Sequence, residues 1–276
     1  MNQGSGDVFL AEYTRQESVE RYVRRTAGAG IAYLLENIYG RIYLDVIQRM
    51  CQRGVLRNGL RVLEYGCGGG MNMLSIVSLL SQKGFTLESA YGTDFSPQMV
   101  AAASREADNW APTSLRTRMA HFAGRNEHLT EDLAAGLLKP RSELANSFHL
   151  IVGVNTFRYC YRLRKAQECA RDIHELLVPG GYSIMIDMNH RFPLFRSRLH
   201  DWLTKSPEQR FLPTLEEYAA PFERAGLVIE EKKTFCWIPH SAGRFLLSLT
   251  RFFSPVLDGL LPRFAMRSLV VSRKPF

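Results

Sequence analysis

Residues 62–72 read Val62-Leu63-Glu64-Tyr65-Gly66-Cys67-Gly68-Gly69-Gly70-Met71-Asn72, an apolar run that ends in an acid and then four glycines within five positions. Residues 61–65 predict a short strand. Met71 to Lys83 has the spacing of a helix, ended by Gly84. Glycine between strand and helix lets the backbone turn sharply and lets a ligand approach without meeting a Cβ. A dinucleotide fingerprint of the form Gly-x-Gly-x-x-Gly needs a glycine at position 71, which is Met71. No Gly-Lys-Ser/Thr follows, so the loop is not a phosphate-cradling P-loop. A second acid, Asp94, ends the next apolar stretch at 89–93. A carboxylate there can accept both hydroxyls of a ribose, so a nucleoside fits.

Outward from this unit the chain alternates. Strands are expected at 61–65, 89–93, 116–122, 148–154, 182–188, 227–235 and 268–272. Helices are expected at 71–83, after Pro97, at 163–177 (stopped by Val178-Pro179-Gly180-Gly181) and at 215–225. Ahead of them lie a short polar helix at 16–25 and a longer one at 31–52. The longer one carries an apolar stripe through Leu34, Leu35, Ile38, Ile42, Val46, Ile47 and Met50. The alternation predicts a doubly wound α/β fold with a mostly parallel seven-stranded sheet covered on both faces. Residues 1–54 form an amino-terminal helical lid, and 55–276 form the ligand-binding domain. Two stretches break the pattern: 189–213, rich in Arg, Phe and His, and the apolar 238–266. Both are expected as cap insertions over the carboxyl edge of the sheet, where open α/β folds bind ligands.

At this point the segments resemble a known family. VLEYGCGGGMN is similar to the first motif of class I S-adenosylmethionine-dependent methyltransferases, AYGTDFSPQMVAAA to their second, and ELLVPGGYSIMID to the late motif before the fifth strand. All three stand in the family's order and together span roughly 60–190. The resemblance implies S-adenosylmethionine as cofactor. It implies that Glu64, Gly66, Cys67, Gly68 and Gly70 shape the loop and hold the methionine part. Asp94 is then expected at the ribose hydroxyls, Phe95 beside the adenine and Met99 at its face. Relatives often carry Gly-Asp-Ala after the third strand, whereas this chain has Gly124-Arg125-Asn126. Asn126 can replace the missing acid through its amide. Asn155, after strand four, is expected to face the methionine part.

Methyl transfer needs little covalent help, because the sulfonium carbon is already electrophilic; nucleophile, carbon and sulfur must be held in line and a proton removed where necessary. A sequence therefore reveals the cofactor site better than the acceptor site. His190, after strand five, is the base expected by type and place. Arg158 is expected to fix an anionic or carbonyl group of the acceptor. Tyr22, Tyr33 and Tyr159 complete the expected acceptor contacts; Tyr13 and Tyr39 belong to the same set of lid rings, and His121, His200 and His240 are read as non-catalytic.

Composition bounds the rest. The 276 residues carry 46% hydrophobic and 22% charged residues and a formal net charge of +8, with no block of five like charges. Five cysteines form no CxxC or Cys/His spacing, so no metal is expected. The first residues lack the basic-then-apolar order of a signal peptide, and no apolar run is long enough to span a bilayer, so a cytoplasmic protein without an integral membrane segment is expected. The expected substrate is a small, rather hydrophobic metabolite of the secondary-metabolite or terpenoid kind, methylated on carbon, oxygen or nitrogen. No nucleic-acid partner is expected, since no aromatic-basic platform or Asn/Asp-Pro-Pro-Tyr motif occurs. A nucleic-acid or protein methyltransferase, or a silent cofactor-binding scaffold, remains the alternative. The apolar side chains of 238–266 are expected, in this order, to wall the acceptor pocket, to join the lid in contacts between copies of the chain, or to rest on a membrane surface.

Overall fold

The computed structural model of the protein describes residues 28–56, 59–193 and 212–276, together with Glu17 and Glu20. Most of the expected helix at 16–25, Tyr22 included, and most of the expected cap at 189–213 lie outside the described residues.

Seven strands form one sheet: β1 (Leu60–Tyr65), β2 (Leu87–Asp94), β3 (Met119–Ala123), β4 (Phe148–Val154), β5 (Leu177–Met188), β6 (Val228–Phe235) and β7 (Arg267–Arg273). Their spatial order is β3-β2-β1-β4-β5-β7-β6. β1 pairs in parallel with β2 and β4, and β4 with β5, while β7 runs antiparallel between β5 and β6. This is the expected α/β, mostly parallel seven-stranded architecture. The strand order reverses between β1 and its two neighbours, and the glycine loop leaves the sheet at that point.

The central strands are apolar at successive positions because both faces are covered. Val62 of β1, Leu150 and Val152 of β4 and Leu269 of β7 pack on one face; Leu63, Ile151 and Val270 pack on the other. On the first face lies helix α1, residues 29–52, which buries Tyr39, Tyr43, Val46, Ile47 and Met50 in that core. Its middle, Leu34–Tyr39, is wound as a π-helix. Gly40 follows, where a Cβ would come within 2.7 Å of the Leu35 carbonyl oxygen, so the wide turn passes only because the side chain is absent. Helix α2 (Met71–Gln82) follows the glycine loop. Helix α3 (Pro97–Trp110) starts with Pro97 in its first turn and the Ser96 hydroxyl accepting from the Met99 N–H at 3.3 Å.

On the second face lie α4 (Leu129–Leu137), α5 (Ala166–Leu176) and α6 (Leu215–Arg224), the last opened by a capping box of Thr214 and Glu217. Short helix α7 (Arg158–Arg162) leads from β4, and α8 (Arg244–Leu260) stands between β6 and β7.

Two expected boundaries move. Thr113–Arg116 forms a helical turn, so β3 begins at Met119 rather than at 116. The Pro179-Gly180-Gly181 turn is drawn into β5 as an irregularity: Gly180 takes φ 79°, and its N–H donates to the Lys274 carbonyl at 2.9 Å. No helix among the described residues is long and apolar enough to cross a membrane.

Candidate active site

The loop after β1 turns on three glycines with positive φ, Gly66 (66°), Gly68 (52°) and Gly70 (79°). A Cβ on Gly66 would lie 2.1 Å from the Thr156 hydroxyl oxygen, so the close approach of the loop to the end of β4 requires glycine. The loop is tied to β2 by the Cys67 N–H on the Thr93 carbonyl at 2.8 Å. Asp94, 6% exposed, accepts from the Gly68 N–H through Oδ2 and from the Ser96 N–H through Oδ1, each at 2.9 Å. Burial pushes its carboxyl up to about 6, against these two bonds. Each oxygen keeps a second lone pair.

Glu64 is 2% exposed at the root of the loop. Its Oε1 accepts from the Asn72 amide at 2.9 Å, and the Asn72 oxygen accepts from the Tyr43 hydroxyl at 2.8 Å. Its Oε2 is buried and has no hydrogen-bond partner among the described residues. Burial raises this carboxyl to about 8, against the Asn72 amide and the Met73 backbone N–H and with a smaller contribution from Asp94. Glu64, Gly66, Cys67, Gly69 and Asn72 form the floor of a cleft that opens to solvent. Ile31, Leu35 and Tyr39 of α1, with Met71 and Val154, supply its apolar walls.

The remaining wall comes from Asn155 and His240. Asn155 takes φ 58°, which asparagine tolerates better than most residues. Its Oδ1 accepts from Arg267 at 2.8 Å, and its Nδ2 lies 3.4 Å from His240 Nδ1. His240 Nε2 lies 2.9 Å from the Tyr39 hydroxyl. Burial, aided by the Arg267 charge, pushes His240 well below its ordinary range, so the ring is neutral. Arg267 is 2% exposed and makes no ion pair with a carboxylate among the described residues.

With this geometry in place, the comparison with known families is direct: residues 34–232 match the methyltransferase domain family. The chain belongs to that family. It is a class I methyltransferase with S-adenosylmethionine as cofactor. Among curated proteins, a non-reducing polyketide synthase of Aspergillus terreus is 26% identical over 160 residues, which is 58% of this chain and 6% of that protein. A second, from Hypocrea jecorina, is 27% identical over 157 residues, or 55% of this chain and 5% of the relative. The chain thus spans about one twentieth of the length of these relatives. Among solved structures, the CMeT domain of the citrinin polyketide synthase aligns with TM-score 0.60 at 16% identity, covering 96% of this chain and 58% of that one. An S-adenosylmethionine-dependent methyltransferase from Mesorhizobium loti aligns with TM-score 0.53 at 19% identity, covering 81% and 96%. At these identities the structural likeness shows the fold alone.

The residues fit this cofactor. A buried acceptor without a partner among the described residues, Glu64 Oε2, sits where a cationic amino group suits it, beside a loop that turns on three glycines.

Of the residues singled out in the sequence, the cleft brings together Glu64, Gly66, Cys67 and Asn155. Gly68 is bonded to Asp94, and Gly70 N–H closes the loop on the Cys67 carbonyl at 2.9 Å. Phe95 is half-buried next to Asp94, and Met99 is buried on the first turn of α3. Asn126 turns inward and donates to the Thr156 hydroxyl at 2.9 Å, while Arg125 points out toward Asp132.

Arg158 and His190 do not line the cleft. The Arg158 guanidinium lies 3.3 Å from buried Asp187, donates to the Tyr159 hydroxyl at 2.8 Å and stacks on that ring. The guanidinium thus faces an internal ion pair rather than the cleft. His190 sits in the turn after β5, within electrostatic reach of Glu217. Tyr33 is covered by Arg251, whose guanidinium stacks 4.6 Å from its ring centre.

The sequence missed Asn72, Arg267 and the role of His240. Asn72 carries a signal in retrospect, since it starts the helix directly after the glycines. Arg267 carries no such signal, because nothing beside it in the sequence marks it as buried. None of the apolar side chains at 245–261 lines the cleft; His240, from the same expected insertion, does.

Proposed function

We propose that the chain transfers the methyl group of S-adenosylmethionine to a small, largely apolar metabolite of polyketide character. S-adenosylmethionine supplies a methyl carbon made electrophilic by its sulfonium. On this reading Glu64 Oε2 receives the amino group of the methionine part, with Asn72 fixing the other carboxyl oxygen. Asp94 uses its free lone pairs for the ribose hydroxyls, while Gly66, Cys67, Gly68 and Gly70 let the backbone close around the sulfonium end. Phe95, Met99 and Asn126 border the adenine. Asn155 stands between the methionine part and the acceptor. Arg158 and His190, with Tyr33 and Tyr159, act outside the acceptor cleft.

The unpartnered buried carboxyl oxygen of Glu64, opposite walls of Ile31, Leu35 and Val154, carries the reading. A cationic cofactor satisfies the floor, and an apolar acceptor satisfies the walls. The similarity to polyketide synthases supports the acceptor class.

The test is calorimetry with S-adenosylmethionine, followed by transfer of labelled methyl to a panel of aromatic polyketides and diketones detected by mass spectrometry. Asp94→Ala is expected to weaken cofactor binding at least about tenfold, as loss of hydrogen bonds to a charged group does. Unchanged binding in this variant would remove the cofactor site from Asp94. Methyl transfer to nucleic acid, and to none of the small acceptors, would remove the substrate reading.

A further inference from the structure

Four side chains from four separate parts of the fold meet at one wall of the cleft: Tyr39 from α1, Asn155 after β4, His240 after β6 and Arg267 at the start of β7. Donor and acceptor rules fix the direction of the whole chain. A guanidinium only donates, so the Asn155 atom 2.8 Å from Arg267 is the oxygen. The other end of that amide is then an NH₂, which only donates, so His240 Nδ1 accepts. The ring is neutral and carries one proton, which must therefore sit on Nε2. Nε2–H donates to the Tyr39 oxygen at 2.9 Å. The Tyr39 hydroxyl proton then has no acceptor in the relay, and Tyr39 lines the cleft.

We propose that the Arg267–Asn155–His240 relay holds the Tyr39 hydroxyl with its proton aimed into the cleft, where it donates to an oxygen of the methyl acceptor. This rests on the cleft being the acceptor site. Arg267 gives the relay its strength. Its guanidinium is buried and its Nε has no hydrogen-bond partner among the described residues; the carboxylate within its electrostatic reach, Asp187, is already paired with Arg158. A buried positive charge three hydrogen bonds behind Tyr39 favours negative charge developing on an oxygen in front of it. Tyr39 itself stays protonated, since burial raises its hydroxyl far above the ordinary range. The arrangement selects an acceptor that presents a carbonyl, enolate or phenolate oxygen near the transferred methyl. Tyr39 touches the acceptor; Asn155, His240 and Arg267 are positioning residues.

A relay that only ties α1 to β7 would make the same bonds, so the test reads proton position and ligand charge rather than stability. The full chain is saturated with S-adenosylhomocysteine and titrated with benzoylacetone, whose enolate has its own near-ultraviolet band. Wild-type protein is expected to bind the enolate. Tyr39→Phe, which keeps the ring and the packing, is expected to weaken that binding about tenfold or more while leaving S-adenosylhomocysteine affinity unchanged.

Asn155→Asp gives the second arm. A carboxylate cannot donate to His240 Nδ1, so the ring proton moves there, Nε2 becomes an acceptor, and the Tyr39 proton turns away from the cleft. Nitrogen-15 spectra of the histidine rings are expected to show His240 protonated on Nε2 in wild type and on Nδ1 in this variant, with enolate binding weakened as in Tyr39→Phe. The inference is overturned if wild type and Tyr39→Phe bind the enolate alike, if wild type does not bind it, or if wild-type His240 carries its proton on Nδ1. Failure of wild type to bind S-adenosylhomocysteine would bring down the cofactor site and the relay's role with it, a result distinct from loss of enolate binding alone.

Discussion

Glu64 carries a proton for a physical reason that also makes it measurable. Its carboxyl is raised to about 8 by burial, so at pH 7 it is mostly neutral until a cation arrives beside Oε2. A bound ammonium favours the carboxylate, and cofactor binding then releases a proton. Calorimetry of S-adenosylhomocysteine binding at pH 7, in two buffers of different ionisation enthalpy, is expected to show release of up to one proton per site, and Glu64→Gln is expected to abolish it. Identical heats in the two buffers would place the ammonium elsewhere. A carboxyl with a raised folded pKa contributes stability that is full below the ordinary carboxylate range and is lost as pH rises through about 8. At this scale the sequence reads well where function is local. Glu64 and the glycines stand within seven positions, and strand-then-turn chemistry points to them without any fold. Tyr39 and His240 are 201 residues apart, and nothing in either neighbourhood marks them as partners.

The elements hold the site from behind. Glu230 on β6 accepts from Arg53 after α1 and from Arg273 on β7, each at 2.6 Å, and from the Tyr182 hydroxyl on β5 at 2.9 Å. Burial opposes its charge, but these partners win and hold the carboxyl down to about 2. A depressed folded pKa contributes stability that is present above the ordinary carboxylate range and is lost as pH falls through about 2. Glu230→Gln is therefore expected to cost about 1–3 kcal/mol at neutral pH and much less under acid conditions, measured by urea denaturation. An equal cost at both ends would mean that packing rather than charge holds the strands together. The helix and strand types were legible because apolar periodicity is a local property. The Pro179-Gly180-Gly181 stretch was not: it has the composition of a turn, yet Lys274, just past β7, supplies hydrogen bonds that draw it into the sheet.

At the scale of the whole molecule, α8 stands out among the described residues: it buries none of its seventeen residues and leaves Phe245, Phe252, Val256 and Leu260 exposed. An apolar face of this kind is where contact between copies of the chain is expected. Wild-type protein is expected to sediment as a larger species than a Phe245→Glu/Phe252→Glu variant. Because neither ring belongs to the core, the melting temperature is expected to change little. Equal sedimentation would clear α8 of that contact. The sequence by itself determined the α/β alternation, the glycine loop, the two acids and the family they resemble, because each depends on residues close together in the chain. Only the tertiary structure decided which basic residue is buried and which histidine faces the cleft. It placed Arg158 against Asp187 and Arg267 behind Asn155, although both arginines look alike in sequence. The reason is that burial and hydrogen-bond partners arise where β7 inserts between β5 and β6 and brings the end of the chain back to α1.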